Sequence, residues 1–133
     1  MRILLDSNAY SHLKRGHRPV AELVRGSGEI LVPYVVIGEL LYGFRSGSRF
    51  ERNVRELNAF LDSTHVAIPP VTLTTADRYS RVAAALRAKG RPIPSNDIWI
   101  AAHTLETGAD LVSSDRHFGE IDGLAWIPVP AGD

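Results

Sequence analysis

The sequence predicts an α/β domain organised on a mainly parallel sheet. Three observations predict it. Short runs with no polar face recur along the chain, as strands buried on both faces of a parallel sheet do; the first is Ile3-Leu4-Leu5. Helix-length segments separate these runs, giving the alternation of strand and helix expected of βαβ units. The first run also stops at an acid, Asp6, followed by Ser7 and Asn8. In open α/β sheets ligands bind outside the carboxyl ends of the strands.

Taken in order, residues 9–14 predict a short helix, capped by Ser7 or Asn8 and ended by Gly16. Pro19 opens a helix through Val24, stopped by the Gly26-Ser27-Gly28 turn. Residues 29–33 are a second strand candidate. Tyr34 to Phe44 is the most apolar segment, with Val35, Val36, Ile37, Leu40, Leu41 and Tyr42 covering almost the whole circumference of a helix. Such a helix is expected to be buried on more than one side. Phe50, Val54, Leu57, Phe60 and Leu61 recur at helical spacing among charged residues and predict a surface helix.

His65 to Ile68 is a short strand, broken by Pro69-Pro70. Thr74, with Asp77 three residues on, resembles a capping box for a helix with Ala76, Tyr79, Val82, Ala83 and Leu86 on one face. Gly90 and Pro92 close it. Residues 93–97 predict a loop in which Ser95 or Asn96 caps an apolar helix, Ile98 to Glu106, ended by Gly108. Asp110 to Ser113 is a strand presenting Ser114 and Asp115 at its end, and Leu124 to Val129 is the last strand candidate.

Composition narrows the function classes. With 133 residues the chain is expected to form one domain over 1–133 with a real core. There is no cysteine, which excludes disulfides, thiolate chemistry and sulfur-ligated zinc. No apolar run has membrane-span length, and the start does not read as a signal peptide, so a cytoplasmic protein is expected. The 15 basic and 15 acidic residues cancel, which argues against gripping long duplex nucleic acid by charge alone. Arg45, Arg49, Arg52 and Arg55, and likewise Lys14, Arg15 and Arg18, form local basic runs; any single one reads most simply as part of a solvated helix face.

Four acids lie in apolar surroundings: Asp6, Glu39, Asp97 and Asp115. Asp6 could simply cap a helix, Asp97 could answer a helix dipole and Asp115 could be a turn residue. Glu39 has no such explanation, because an ionised carboxylate inside an apolar helix is costly unless something compensates its charge. Several carboxylates in one dry pocket repel, and a cation relieves them. Sulfur-free, all-oxygen ligation suits Mg²⁺ or Mn²⁺. Beside a phosphodiester such an ion activates water and stabilises phosphoryl charge, so metal-dependent phosphodiester hydrolysis is the expectation.

These acids sit in four motifs: Leu4-Leu5-Asp6-Ser7-Asn8, residues 36–43 around Glu39, Ser95-Asn96-Asp97-Ile98-Trp99-Ile100-Ala101-Ala102, and Val112-Ser113-Ser114-Asp115-Arg116-His117-Phe118. In this order they resemble the motifs of PIN-domain ribonucleases, and best those of the VapC toxins of prokaryotic toxin–antitoxin pairs. The resemblance implies a Rossmann-like three-layer α/β/α fold with a central mainly parallel sheet. It implies an Mg²⁺ or Mn²⁺ site formed by Asp6, Glu39, Asp97 and Asp115, with Asp6 and Asp97 the most direct ligands. Ser7 would orient Asp6 through its hydroxyl, and Asn8 and Ser114 would support the ligands, although capping and turn formation explain all three equally well.

The implied activity is endonucleolytic cleavage of RNA, transfer or ribosomal, to arrest translation. The implied partners are a VapB-type antitoxin, operator DNA only through that antitoxin, and a second copy in a homodimer. The alternative is a non-catalytic PIN-fold module that binds RNA or protein. His117 stands where some relatives carry a further acid, and Trp99 and Trp126 read as core. A phosphoacceptor receiver domain is disfavoured because Ser7 follows Asp6 and no lysine occurs after Lys89; an Asp-x-Asp phosphatase fails at Asn8.

Overall fold

The computed structural model describes residues 1–130. Five parallel strands form one sheet in the order β3-β2-β1-β4-β5: β1 (Arg2–Leu5), β2 (Glu29–Leu31), β3 (Val66–Ala67), β4 (Asp110–Ser113) and β5 (Trp126–Pro128). Six helices connect them: α1 (Ser7–Lys14), α2 (Arg18–Gly26), α3 (Tyr34–Arg45), α4 (Phe50–Leu61), α5 (Leu73–Ala88) and α6 (Ser95–Thr107). The chain steps outward from β1 to β3, then returns to the other side of β1 for β4 and β5. Because parallel crossovers are right-handed, α1 to α4 cover one face of the sheet and α5 and α6 the other. This is the three-layer α/β/α arrangement. None of the described helices is long and apolar enough to cross a membrane.

The central position of β1 follows from its sequence. Ile3, Leu4 and Leu5 are fully inaccessible, paired with β2 on one side and β4 on the other. Burying each contributes about 2 kcal/mol relative to exposure. The outer strands are shorter than their apolar runs. β2 stops at Leu31 because Pro33, without an N–H, already caps α3. In β5, Leu111 N–H donates to Ala125 and Val129 N–H to the Ser113 carbonyl, so residues 125 and 129 turn toward β4. Pro128 and Pro130 fall at the alternate, outward positions, where an edge strand tolerates a missing donor.

Several helix starts differ from the sequence reading. The cap of α1 is Asp6, as its alternative reading allowed, rather than Ser7 or Asn8, its Oδ1 accepting the Ala9 N–H at 2.8 Å. The capping box of α5 is Thr72 with Thr75 rather than Thr74 with Asp77. Glu106 decides this, since its carboxylate accepts the Thr75 hydroxyl at 2.6 Å and ties the start of α5 to the end of α6. α6 starts at Ser95 behind Pro94, with no side-chain cap from Ser95 or Asn96. It ends at Gly108, whose φ of 71° is the left-handed conformation that closes a helix. α3 buries Val36 and Leu40, whereas Tyr34 and Tyr42 are 60% and 76% exposed; the helix is covered on one side only. A short 3₁₀ helix, Arg116–Glu120, follows β4 and was not expected.

Candidate active site

The strand order reverses between β1 and β4, and the carboxyl ends of these neighbours form the crevice where open α/β sheets bind ligands. Asp6 leaves the end of β1, and Ser113, Ser114 and Asp115 leave the end of β4. Asp97 lies in the first turn of α6. Glu39 projects from α3, the helix after β2. The fold thus brings four acids from distant parts of the chain to one rim.

Hydrogen bonds hold each carboxylate. Asp6 is buried; besides the Ala9 N–H it accepts the hydroxyl of Ser113. The same Ser113 oxygen accepts the Asp115 N–H at 2.9 Å, linking the two strand ends. Glu39 accepts the Ser7 hydroxyl at 3.2 Å and the Asn96 amide at 3.3 Å. Asp115 caps the 3₁₀ helix through the His117 N–H at 2.9 Å. The His117 ring enters the cluster, with Nδ1 3.2 Å from Asp97 Oδ2 and 3.1 Å from Asp115 Oδ1.

Two supporting residues, Ser7 and Asn8, therefore differ from expectation. Ser7 bonds to Glu39 rather than orienting Asp6. The hydroxyl on Asp6 belongs to Ser113, a residue the sequence reading did not single out. Asn8 is exposed, and among the described residues its backbone carbonyl meets His12 Nδ1 while its side chain makes no hydrogen bond. Asn96 and His117 could not be placed from the sequence, because nothing local ties an amide to Glu39 or an imidazole to two aspartates. Trp99 stacks on Tyr79 between α5 and α6, at 4.3 Å between centroids. Trp126 donates its indole N–H to the Ser113 carbonyl at 3.0 Å.

The electrostatics show an uncompensated negative site. Burial, with the charges of Asp115 and Asp97 adding, pushes the Asp6 carboxyl up to about 6 despite the Ser113 and Ala9 hydrogen bonds. Asp97 is also raised, first by burial and then by Asp115 and Glu39, with His117 opposing. Proximity of like charges in a desolvated crevice has this effect, and a divalent cation reverses it. Asp97, Asp115 and His117 each offer a ligand atom, all within 4.8 Å of one another. Carboxylate oxygens suit Mg²⁺ or Mn²⁺, whereas an imidazole suits softer transition metals, so the fit to these two ions rests on the carboxylates. The hydrogen bonds at Asp6 leave lone pairs on both oxygens. The donor set fits such an ion.

Comparison with known proteins agrees with this geometry. The family model described as PIN domain matches residues 3–124. The chain belongs to the PIN domain family. Among curated relatives of this PIN domain, Ribonuclease VapC2 of Haemophilus influenzae is 30% identical over 96% of the chain and 99% of its own length. Ribonuclease VapC1 of the same species is 28% identical, covering 95% and 96%. Among solved structures, VapBC2 from Rickettsia felis bound to a DNA fragment from its promoter aligns with a TM-score of 0.82 at 26% identity, over 96% of this chain and 98% of that one.

Proposed function

We propose that this PIN domain is a metal-dependent endoribonuclease of the VapC type, the toxin of a VapBC toxin–antitoxin pair, cleaving transfer or ribosomal RNA to inhibit translation. One observation carries the reading: acids from four separate segments meet at the topological switch point of the sheet, two of them raised by burial and mutual repulsion. The relatives named as ribonucleases support the activity. The VapBC2 structure, a complex bound to a DNA fragment from its promoter, supports a VapB-type antitoxin partner; operator DNA would be reached only through that antitoxin. Exposed Tyr34 and Tyr42 on one side of α3 suit a covering partner or a second copy in a homodimer. An activity on transfer or ribosomal RNA would place the protein in the cytoplasm.

Asp6, Glu39, Asp97 and Asp115 would hold Mg²⁺ or Mn²⁺. When bound, the ion supplies a Lewis acid for the phosphoryl oxygens and an acidified water as nucleophile. The chain's own groups fix the carboxylates. Ala9 N–H and Ser113 keep Asp6 in one rotamer, and Ser7 and Asn96 hold Glu39. His117 Nδ1 bridges Asp97 and Asp115 and resists their separation. Such second contacts tune ligand orientation, and their removal costs about 10–100-fold in metal affinity or activity.

The test is incubation of total bacterial RNA with the purified, antitoxin-free protein and Mn²⁺ or Mg²⁺, beside EDTA and Asp97→Asn controls, with cut sites mapped by sequencing. Discrete cuts that require both metal and Asp97 are expected and also name the substrate. Cuts that survive EDTA, or a folded Asp97→Asn as active as wild type, would overturn the metal site. A folded wild type that cuts nothing would favour the non-catalytic binding module, a reading disfavoured because none of the four acids is missing. Expression of wild type alone should slow bacterial growth, whereas Asp6→Asn should not.

A further inference from the structure

Two cationic side chains border the site on the side of the 3₁₀ helix. Arg91, in the loop between α5 and α6, and Arg116, next after Asp115, line a groove of about 300 Å³ together with Pro92, Ile93, His117 and Glu120. His117 joins the groove to the acids, since its Nδ1 touches both Asp97 and Asp115. Arg116 is exposed and enters no ion pair among the described residues. Arg91 reaches Glu120 only at 3.9 Å, with both side chains well exposed, a pairing that exchanges readily with solvent or another anion.

The basic runs noted in the sequence lie elsewhere, and two of their arginines meet other groups. Lys14 and Arg15 end α1, two turns from Asp6, and line a cavity with Glu56. Arg45 stacks over the Phe50 ring at 4.4 Å, and Arg52 pairs with Glu56 at 3.6 Å.

A site of four carboxylates repels the polyanion it is read as cutting, so binding energy has to come from phosphates beside the scissile one. Arginine forks match phosphate oxygens bidentately. Pro92 and Ile93 add an apolar wall against which a ribose or an unstacked base can pack, as single-stranded RNA requires. We propose that this groove holds the RNA strand on one side of the cut, with Arg91 and Arg116 binding a phosphate adjacent to the scissile one. The assignment rests on the ribonuclease reading and deepens it: both arginines are substrate-positioning residues, and the strand is single where it leaves the site.

The experiment compares wild type with Arg91→Ala/Arg116→Ala, with Arg116→Lys, and with Arg52→Ala/Arg55→Ala as a control of equal charge loss. Matching melting temperatures establish folding. Binding of a short, unstructured, fluorescein-labelled RNA of mixed sequence is followed by anisotropy across KCl concentrations, with Ca²⁺ in place of Mn²⁺. Cleavage of total bacterial RNA is followed across RNA concentrations with Mn²⁺.

The groove variant is expected to bind about tenfold more weakly, and its log K against log salt to flatten by ~0.7 for each phosphate it no longer neutralises. Its apparent KM should rise with kcat altered less than about threefold, the pattern of weakened uniform binding. Arg116→Lys should recover part of the affinity. Wild-type affinity, salt slope and KM in the groove variant would overturn the proposal while leaving the ribonuclease reading standing, as would an equal effect in the control. Binding abolished in the groove variant, from a wild type that cuts nothing, would support the groove and sink the nuclease. A wild type that neither binds nor cuts RNA would overturn both.

Discussion

Replacing Asp6 by Asn tests the electrostatic account of the site without any assumption about substrate. In the metal-free protein the Asp6 carboxyl is pushed from 3.8 up to about 6, with burial the largest cause. At 1.36 kcal/mol per unit this strains the folded state by about 3 kcal/mol once pH is well above 6. The sign is that of a raised carboxylate. The folded state holds the proton more tightly than the unfolded chain, so stability is full below pH 3.8 and is lost as pH rises to about 6. Between pH 8 and pH 5, linkage returns about 1.4 kcal/mol to wild type and nothing to Asp6→Asn. For a chain of 133 residues, with unfolding entropy of about 2.1 cal/mol/K per residue, that is about 5 °C in Tm.

The amide can keep the Ala9 N–H bond, but Ser113 must then accept rather than donate, at about 1 kcal/mol. The variant should therefore be more stable than wild type at pH 8 in EDTA by about 2 kcal/mol, with the gap narrowing toward pH 5. Thermal unfolding followed by circular dichroism at both pH values in EDTA reads this out. Wild-type and variant Tm curves that run parallel from pH 8 to pH 5 would refute the reasoning, because Asp6 would then carry no buried charge to relieve.

Other perturbations probe the surroundings. Saturating Mn²⁺ at pH 8 should raise the Tm of wild type more than that of Asp97→Asn, because a ligand bound only by the folded state stabilises with the logarithm of its concentration over its dissociation constant; equal shifts would count against Asp97 as a ligand. His103 is buried with its Nδ1 unpartnered among the described residues, and burial lowers its pKa below 6.5. Its contribution has the opposite sign to that of Asp6, being present above 6.5 and lost as pH falls, so His103→Leu should gain on wild type as the medium is acidified; an unchanged Tm difference would dismiss it. At Gly119 a Cβ would meet Trp126 Cζ3 at 3.2 Å, while the indole is held by Ser113. Gly119→Ala should cost about 1 kcal/mol, or about 4 °C in Tm, and a variant melting with wild type would show that Trp126 yields freely.

What the sequence determined by itself is the set of features that depend on nearby residues. The Ile3–Leu5 run ending at Asp6 shows a buried strand because burial on both faces removes every polar residue from the run. Glu39 stands out because no local structure explains a carboxylate in an apolar helix. The motif order around Asp6, Glu39, Asp97 and Asp115 is itself sequence information, and it marks the family before any coordinate is known.

The tertiary structure alone decided which partners each acid meets. Ser113 lies 107 residues from Asp6 and Asn96 57 from Glu39, so these bonds exist only because strand order sets β4 beside β1 and brings α6 to α3. The cap of α5 depends in the same way on Glu106 of α6, which is why local spacing pointed to the wrong threonine. The place of Arg91 and Arg116 is a further case. They stand far apart in sequence and outside the basic runs, and they border one groove because the 3₁₀ helix folds back against the loop before α6. Hydrophobic pattern is local and can be read along the chain, whereas hydrogen bonds and charges between segments depend on topology, and topology is fixed by packing the whole core.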